Sequence, residues 1–171
     1  VSEFDTLDEY KADIKAKLSE TKQKQATTEN ENNVVEKVVG NATMELPEAM
    51  IDDQVENMVD NYSRRMRGQG LTMEQYFQFT GLTMDKMKED LRPQAEKQIR
   101  TRLVLEAIVA QEGIQVDDEA VEEEVKKMAA SYKLELEKMK EYMGEAELKR
   151  LKEDMAVQEA IDFLVAEAKL V

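Results

Sequence analysis

Cysteine, histidine and tryptophan are absent from this 171-residue sequence, and the first two absences exclude whole classes of chemistry. Without cysteine or histidine there can be no disulfide, no thiolate nucleophile, no imidazole base and no zinc finger. A catalyst would have to rely on carboxylates, lysine, tyrosine or an oxygen-ligated calcium or magnesium ion, and no recognisable spacing of such groups occurs. We therefore expect a protein that is not an enzyme and that uses no cofactor and no metal.

Positive charge and long apolar runs are also scarce. The sequence has 24 Lys and Arg against 38 Asp and Glu, a formal net charge of −14. Affinity for phosphate groups comes from basic side chains that release counterions, so we expect neither nucleic acid nor a membrane surface as a partner. No apolar run approaches the roughly 20 residues that span a bilayer. No signal-peptide pattern opens the sequence, and the missing initiator Met suggests an excised fragment.

The residues that are present favour helices. Only six Gly and two Pro occur, and the good helix formers Ala, Leu, Met, Glu, Lys and Gln dominate. No alternating run predicts a strand. The apolar stripes are narrow and flanked by dense charge, which is typical of helical hairpins that pack on one neighbour. We predict an all-α fold of six to eight helices, an extended multi-helix body with helical arms.

Capping residues and glycines mark the predicted helix boundaries. The stripe Leu7, Tyr10, Ile14 and Leu18 predicts one buried face on the first helix, which is either continuous or divided near residues 27–33. Pro93 predicts a kink or a break in a later helix. Starts are predicted at Thr6, Pro47, Thr72, Thr83 and Asp117 or Asp118, and ends at Gly40, Gly68, Gly81, Gly113, Gly144 and, for the last helix, Leu170.

Charged clusters have plain structural interpretations. The acidic runs at residues 117–119 and 122–124 lack the ligand spacing of an EF-hand, so we interpret them as a helix start and a solvated face. The basic clusters at residues 63–67 and 100–102 are interpreted as a complement to a helix dipole and as intramolecular salt bridging, respectively. Contact with phosphate or with an acidic partner is the alternative for these two clusters.

Methionine and aromatic residues concentrate in one part of the chain. Eleven Met are present, and four of the nine aromatic residues lie between Tyr62 and Phe79. Helical spacing favours a core-filling role for such residues. Their position near the end of a predicted hairpin favours exposure, either for partners or for self-association, because adaptable Met side chains suit varied apolar partners.

Four segments in order give the sequence a family resemblance. They are FDTLDE at residues 4–9, LPE at 46–48, RTRLVLEAI at 100–108 and EGIQVDDE at 112–119. With these segments the chain resembles the C-terminal, substrate-binding domain of bacterial trigger factor, a ribosome-associated folding chaperone, of the Gram-positive type.

The resemblance implies one helical chaperone domain that holds unfolded or nascent chains without ATP. Residues 1–45 would form a long connector helix and body, 46–102 a first arm and 103–171 a second arm with the C-terminal helix. The arm tips would lie near residues 68–81 and 133–145.

The resemblance also implies what this chain lacks. In the family, a ribosome-docking domain and an FKBP-like peptidyl-prolyl isomerase domain precede this region, and neither signature occurs here. The fragment would then be cytoplasmic, would not isomerise proline, and would meet the ribosome only through the missing N-terminal domain. Independently of the resemblance, exposed apolar tips would allow two copies of the chain to associate as a homodimer.

Predicted position and composition together nominate client-binding side chains. These are the apolar residues expected near the two arm tips. They are Met58, Tyr62, Met66, Met73, Tyr76, Phe77, Phe79, Met84 and Met87 in the first arm, and Met139, Tyr142 and Met143 in the second.

Two alternative functions stay open at this point. A periplasmic chaperone module of the SurA kind would have a similar helical sequence. A structural self-assembly domain would bury the same apolar residues against another copy of itself.

Overall fold

The computed structural model describes Phe4 and residues 6–169, and these residues form six α-helices and no strand. The all-α prediction is therefore confirmed. The predicted end of the last helix, Leu170, lies outside the described residues. The helices are α1 (Leu7–Asn41), α2 (Glu48–Gly68), α3 (Met73–Thr80), α4 (Met84–Glu112), α5 (Asp118–Tyr132) and α6 (Leu136–Glu167).

Side-chain caps start three of the helices as predicted. The Thr6 hydroxyl accepts from the Glu9 backbone N–H at 3.2 Å, and the Glu9 carboxylate accepts from the Thr6 backbone N–H at 3.1 Å. Thr72 forms the same reciprocal capping box with Gln75, and Thr83 caps α4. Pro47 differs from its prediction by one residue. Its ψ of 136° is extended, so Pro47 is the cap of α2 and Glu48 is the first helical residue.

The long helices are continuous where the sequence left alternatives. α1 is a single helix through residues 27–33, and α4 passes through Pro93 without a break. α6 changes direction at Gly144, whose φ of 68° and ψ of 173° are not helical. This backbone region is accessible almost only to glycine. α6 therefore consists of two helical segments that meet at Gly144, and the predicted helix end there is confirmed.

The chain divides into two compact units, residues 39–117 and residues 1–38 with 118–171. In the first unit, α2 packs antiparallel on α4, since Asp52 pairs with Arg92 and Glu56 pairs with Lys88. The predicted arm boundary at 102/103 falls inside α4, because this helix is continuous to Glu112.

Each unit has its own apolar core along one seam. The core of the first unit joins α2 to α4, and the core of the second joins α5 to α6. Neither core has a buried polar or charged residue among the described residues. Their buried members are Ile51, Val55, Val59, Ala95 and Ile99 in the first unit, and Val125, Ala129 and Met139 in the second.

The prediction of a buried face on α1 is wrong. Leu7, Tyr10, Ile14 and Leu18 are all exposed, and none of the residues of α1 is buried. The 3.6-residue period of this stripe is real, but within the described part of the chain no neighbouring helix covers it. Periodicity identifies which residues share a face and not whether another element packs there.

The seam between α2 and α4 predicts how the first unit responds to overpacking. Ala95 is fully buried against α2, whereas Ala107 is exposed on the same helix. Ala95→Leu should lower the free energy of unfolding by about 1–3 kcal/mol, because the added methyl groups have no space. Ala107→Leu should change it by less than about 0.5 kcal/mol. Urea unfolding followed by circular dichroism measures both, and equal effects would contradict the packing of this seam.

Candidate functional site

The connection between α2 and α4 presents the densest group of aromatic side chains. α2 ends in a Schellman motif, in which the Leu71 N–H donates to the Met66 carbonyl and the Gly70 N–H donates to the Arg67 carbonyl. Gly70 has a φ of 79°, a conformation that glycine adopts without strain. The tight turn and the Thr72 capping box bring α3 back beside the end of α2.

Three aromatic rings meet at this connection. Tyr62 of α2 lies edge-on to Tyr76 of α3 with ring centroids 5.6 Å apart, and Tyr76 lies 5.8 Å from Phe77. All three are half-buried, whereas Phe79 is 81% exposed. Phe79 is therefore an isolated apolar side chain in solvent beside a partly covered aromatic cluster.

The methionines predicted near this connection divide by burial. Met66 and Met87 are buried, and Met58 and Met73 pack against the core of α2 and α4. Only Met84 is exposed. The core-filling interpretation therefore describes the packing of most of these methionines, while a client-binding role for the set stays a prediction.

The connection between α5 and α6 is a second group of exposed apolar side chains. It is also a Schellman motif, with the Leu134 N–H donating to the Ala129 carbonyl and the Lys133 N–H donating to the Ala130 carbonyl. Lys133 occupies the position with positive φ, 55°, that glycine usually fills. Tyr132 on one side of it is 69% exposed, and Leu134 on the other side is also exposed.

The predicted residues of this second hairpin also divide by burial. Met139 is buried in the core of α5 and α6, Met143 packs partly against that core, and Tyr142 is 80% exposed. Sequence reasoning missed Tyr132 and Leu134 as site residues. The signal that could have found them is their place on either side of Lys133, because the chain reverses direction between two amphipathic segments there.

Ion pairs join the two helices of each hairpin at the end away from the connection, at the starts of α2 and α5. Arg92 bridges from α4 to Glu48 and to Asp52 of α2, the latter at 2.7 Å. In the second hairpin, Lys152 pairs with Asp118 at 2.6 Å, and this ammonium lowers the pKa of the Asp118 carboxyl. These pairs are exposed and individually weak. The charged residues therefore cover the flanks of the seams and not the apolar connecting ends.

The described residues form a groove between two helices and no group of potential metal ligands. A groove of about 500 Å³ between α2 and α4 is lined by Met50, Ile99 and Leu103 with charged residues at its rim. In the part of the chain that the structure describes, no cluster of three or more acidic side chains could hold a metal ion. No helix of that part is long and apolar enough to cross a membrane.

Comparison with known proteins decides the family. The model of the bacterial trigger factor C-terminus matches residues 6–166. The chain belongs to the trigger factor C-terminal family. A trigger factor from Lachnoclostridium phytofermentans is 52% identical over 169 residues, which are 99% of this chain and 40% of that protein. One from Geobacillus kaustophilus is 42% identical over 168 residues, 98% of this chain and 39% of that protein.

Solved trigger factor structures share the fold. A structure of trigger factor domains from Thermotoga maritima has a TM-score of 0.61 and 19% sequence identity, covering 82% of this chain and 84% of that chain. A trigger factor chaperone studied for promiscuous substrate recognition has a TM-score of 0.58 and 21% identity, covering 98% of this chain and 40% of that chain. The predicted family is confirmed, and the chain spans about 40% of the length of the curated trigger factors it matches.

The strained residue between α5 and α6 gives a stability prediction. Lys133→Gly should raise the free energy of unfolding by about 1 kcal/mol, because glycine adopts a positive φ without the steric penalty that a side chain imposes. Lys138→Gly, at an exposed position inside α6, should lower it by about 1 kcal/mol. Urea unfolding compares the two variants. A loss of stability in both would show that the backbone at Lys133 is not left-handed.

The tyrosine pair between α2 and α3 gives a pH prediction. The neighbouring Tyr76 hydroxyl is the main reason that the pKa of Tyr62 is raised above its ordinary value of 10.0. The fold therefore favours neutral Tyr62, and the stability it contributes is present below pH 10 and lost as pH rises through the raised pKa. Absorbance at about 295 nm should show one tyrosine ionising later than the rest. Tyr62→Phe should remove that late component, and its persistence would contradict the assignment.

Proposed function

We propose that this chain is the client-binding module of a trigger factor. It binds exposed apolar segments of unfolded or nascent polypeptides without ATP and delays their aggregation. The observation that carries this proposal is the exposure of single aromatic side chains in both hairpins: Phe79 and Tyr132 at the two connecting ends, and Tyr142 farther along α6 beside the turn at Gly144. Membership of the trigger factor family supports the same conclusion.

A chaperone that holds and then releases its clients is served better by isolated weak contacts than by one deep binding pocket. Each exposed aromatic ring offers a modest apolar contact, so a client that uses a few of them binds reversibly and leaves without ATP hydrolysis. The formal charge of −14 keeps a protein with exposed apolar side chains soluble. A wide apolar patch would bind clients more tightly but would also promote self-association.

The cellular location and the partners of this activity are also part of the proposal. We place the module in the cytoplasm, with the ribosome contacted through the part of trigger factor that lies outside this chain. We assign no reaction to this chain. Any peptidyl-prolyl isomerase activity of the whole protein is assigned to the part of trigger factor that lies outside this chain. Nucleic acid, a membrane and a cofactor have no assigned role, and a homodimer is a partner state that the test below examines.

The two alternative functions receive less support. The comparisons match trigger factor and do not favour a SurA-like periplasmic module. A structural self-assembly domain would bury Phe79 and Tyr142 against a second copy. Such a domain would form a stable oligomer with no affinity for unfolded chains.

Suppression of client aggregation tests the proposed function. The purified chain, mixed without ATP with a chemically denatured client, should reduce light scattering near stoichiometric ratios. The triple variant Phe79→Ser, Tyr132→Ser, Tyr142→Ser should lose most of that suppression, about fivefold or more, because three exposed contacts are removed.

A matched control removes exposed apolar side chains away from the hairpin connections. Tyr10→Ser, Leu18→Ser, Phe163→Ser changes residues on α1 and on the distal part of α6, which are also exposed. This variant should retain suppression within about twofold. Equal loss in both variants would reject the hairpin ends as the binding site. No suppression by a folded, monomeric wild-type chain would reject the function, and a stable oligomer without suppression would support self-assembly.

A further inference from the structure

The connecting end of the α2/α4 hairpin differs in charge from the rest of this acidic chain. Residues 61–83, called here the arginine–aromatic tip, contain three Arg and one Glu, a formal charge of +2. The remainder of the chain therefore carries −16. At the average frequency of 38 acidic residues in 171, a stretch of this length would contain about five. The tip is thus locally basic as well as poor in acidic residues.

The three arginines of the tip have no carboxylate partner among the described residues. Arg64, Arg65 and Arg67 are exposed and take part in none of the ion pairs found there. Arg67 donates to the Ser63 hydroxyl at 3.0 Å, which is a contact within its own helix. By contrast, Arg92 in the same unit bridges two carboxylates. The guanidinium groups of the tip are therefore available to an external acceptor.

Favourable interaction with the helix dipole explains only part of this arrangement. Arg65 and Arg67 lie in the last turn of α2, where positive charge is stabilising. Such an interaction does not require that acidic residues be scarce in the following 16 residues, where Glu74 is the single one. Asp60 lies one helical turn before Arg64 and Asp85 follows the tip, but no ion pair joins either of them to a tip arginine among the described residues, whereas elsewhere basic side chains at this spacing do pair with acidic ones.

The same tip carries the aromatic cluster already described. Tyr62 and Arg65 lie three residues apart on α2, and therefore on neighbouring positions of one helix face. Phe79, on α3, is the most exposed large apolar side chain of the described residues. Arginine and aromatic side chains together provide an apolar anchor site and charge-assisted donors for carboxylates.

We propose that the arginine–aromatic tip selects client segments whose apolar residues are flanked by aspartate or glutamate. The overall negative charge of the chain favours client segments with basic residues, so the tip adds the opposite preference at the end of the α2/α4 hairpin. The module then binds client segments with basic residues and client segments with acidic residues through different parts of its surface. This inference rests on the proposed function, because it assigns a substrate class to one of its binding ends.

A site-specific label makes the preference measurable at the tip alone. The chain contains no cysteine, so Gln78→Cys on the exposed face of α3 gives a single position for an environment-sensitive fluorophore. The probes are three peptides with the same apolar centre of Phe and Leu, flanked on both sides by Asp, Ser or Lys. The Asp-flanked peptide should bind about fivefold more tightly than the Ser-flanked one at about 50 mM salt. This difference should shrink below about twofold at 500 mM salt, because exposed charges are screened.

Two variants that change the net charge by the same amount distinguish an effect of the tip from an effect of the protein's overall electrostatic field. Arg64→Gln, Arg65→Gln, Arg67→Gln should abolish the preference for Asp flanks while leaving the affinity for the Ser-flanked peptide within about twofold. Lys15→Gln, Lys22→Gln, Lys37→Gln removes three exposed charges from α1 and should keep the preference. Should the triple arginine variant misfold by circular dichroism, Arg64→Gln alone, an exposed residue, should reduce the preference about twofold.

Several results would overturn the inference. These are equal binding of Asp- and Ser-flanked peptides, tighter binding of the Lys-flanked peptide at the labelled tip, or equal behaviour of the two triple variants. Displacement of the Asp-flanked peptide by a short oligouridine at lower concentration would assign the tip to nucleic acid instead. If the Ser-flanked peptide binds and aggregation is still suppressed, only this inference fails. If no peptide binds and aggregation is not suppressed, the proposed function fails with it.

Discussion

A helix that packs against one neighbour can bury only one narrow stripe, and this constraint shapes the whole chain. Each hairpin has a single seam, in which residues such as Val55 and Ile99 or Val125 and Met139 meet. Apolar side chains that lie beyond the seam have nothing to cover them. The exposed aromatic residues at the hairpin ends are therefore a direct consequence of building the domain from paired helices.

The same constraint connects stability with function. A domain with one large core would bury Phe79 and Tyr142, and would leave no isolated apolar contacts for an unfolded chain. Here the seams are short and apolar, while exposed ion pairs such as Arg92 with Asp52 cover their flanks. Under the proposed function, stability and client contact use different residues, so the hairpin ends can vary without loss of the core. This separation suits a module that meets many different clients.

Much of the fold was predictable because its determinants are local. The capping boxes at Thr6 and Thr72, the helix end at Gly81 and the turn at Gly144 each depend on a few neighbouring residues. The family was predictable from four short segments in order, and trigger factors that are 39–52% identical to this chain confirm that prediction. The break predicted as one alternative at Pro93 does not occur, since α4 is continuous through it. Packing of Ala95 and Ile99 on α2 helps to keep α4 helical at a residue that disfavours helix.

Sequence alone determined the helical class, most helix boundaries, the acidic charge and the exclusion of cysteine and histidine chemistry, because composition and local hydrogen bonding fix these properties. Tertiary structure alone decided which apolar stripes are covered. The stripes that begin at Leu7 and at Ile51 have the same helical period, yet the first is exposed and the second is buried. Burial depends on whether a partner helix lies opposite, and a pattern along one helix does not encode the position of another. For that reason Met66 and Met139 are core residues, while Phe79 and Tyr142 face solvent.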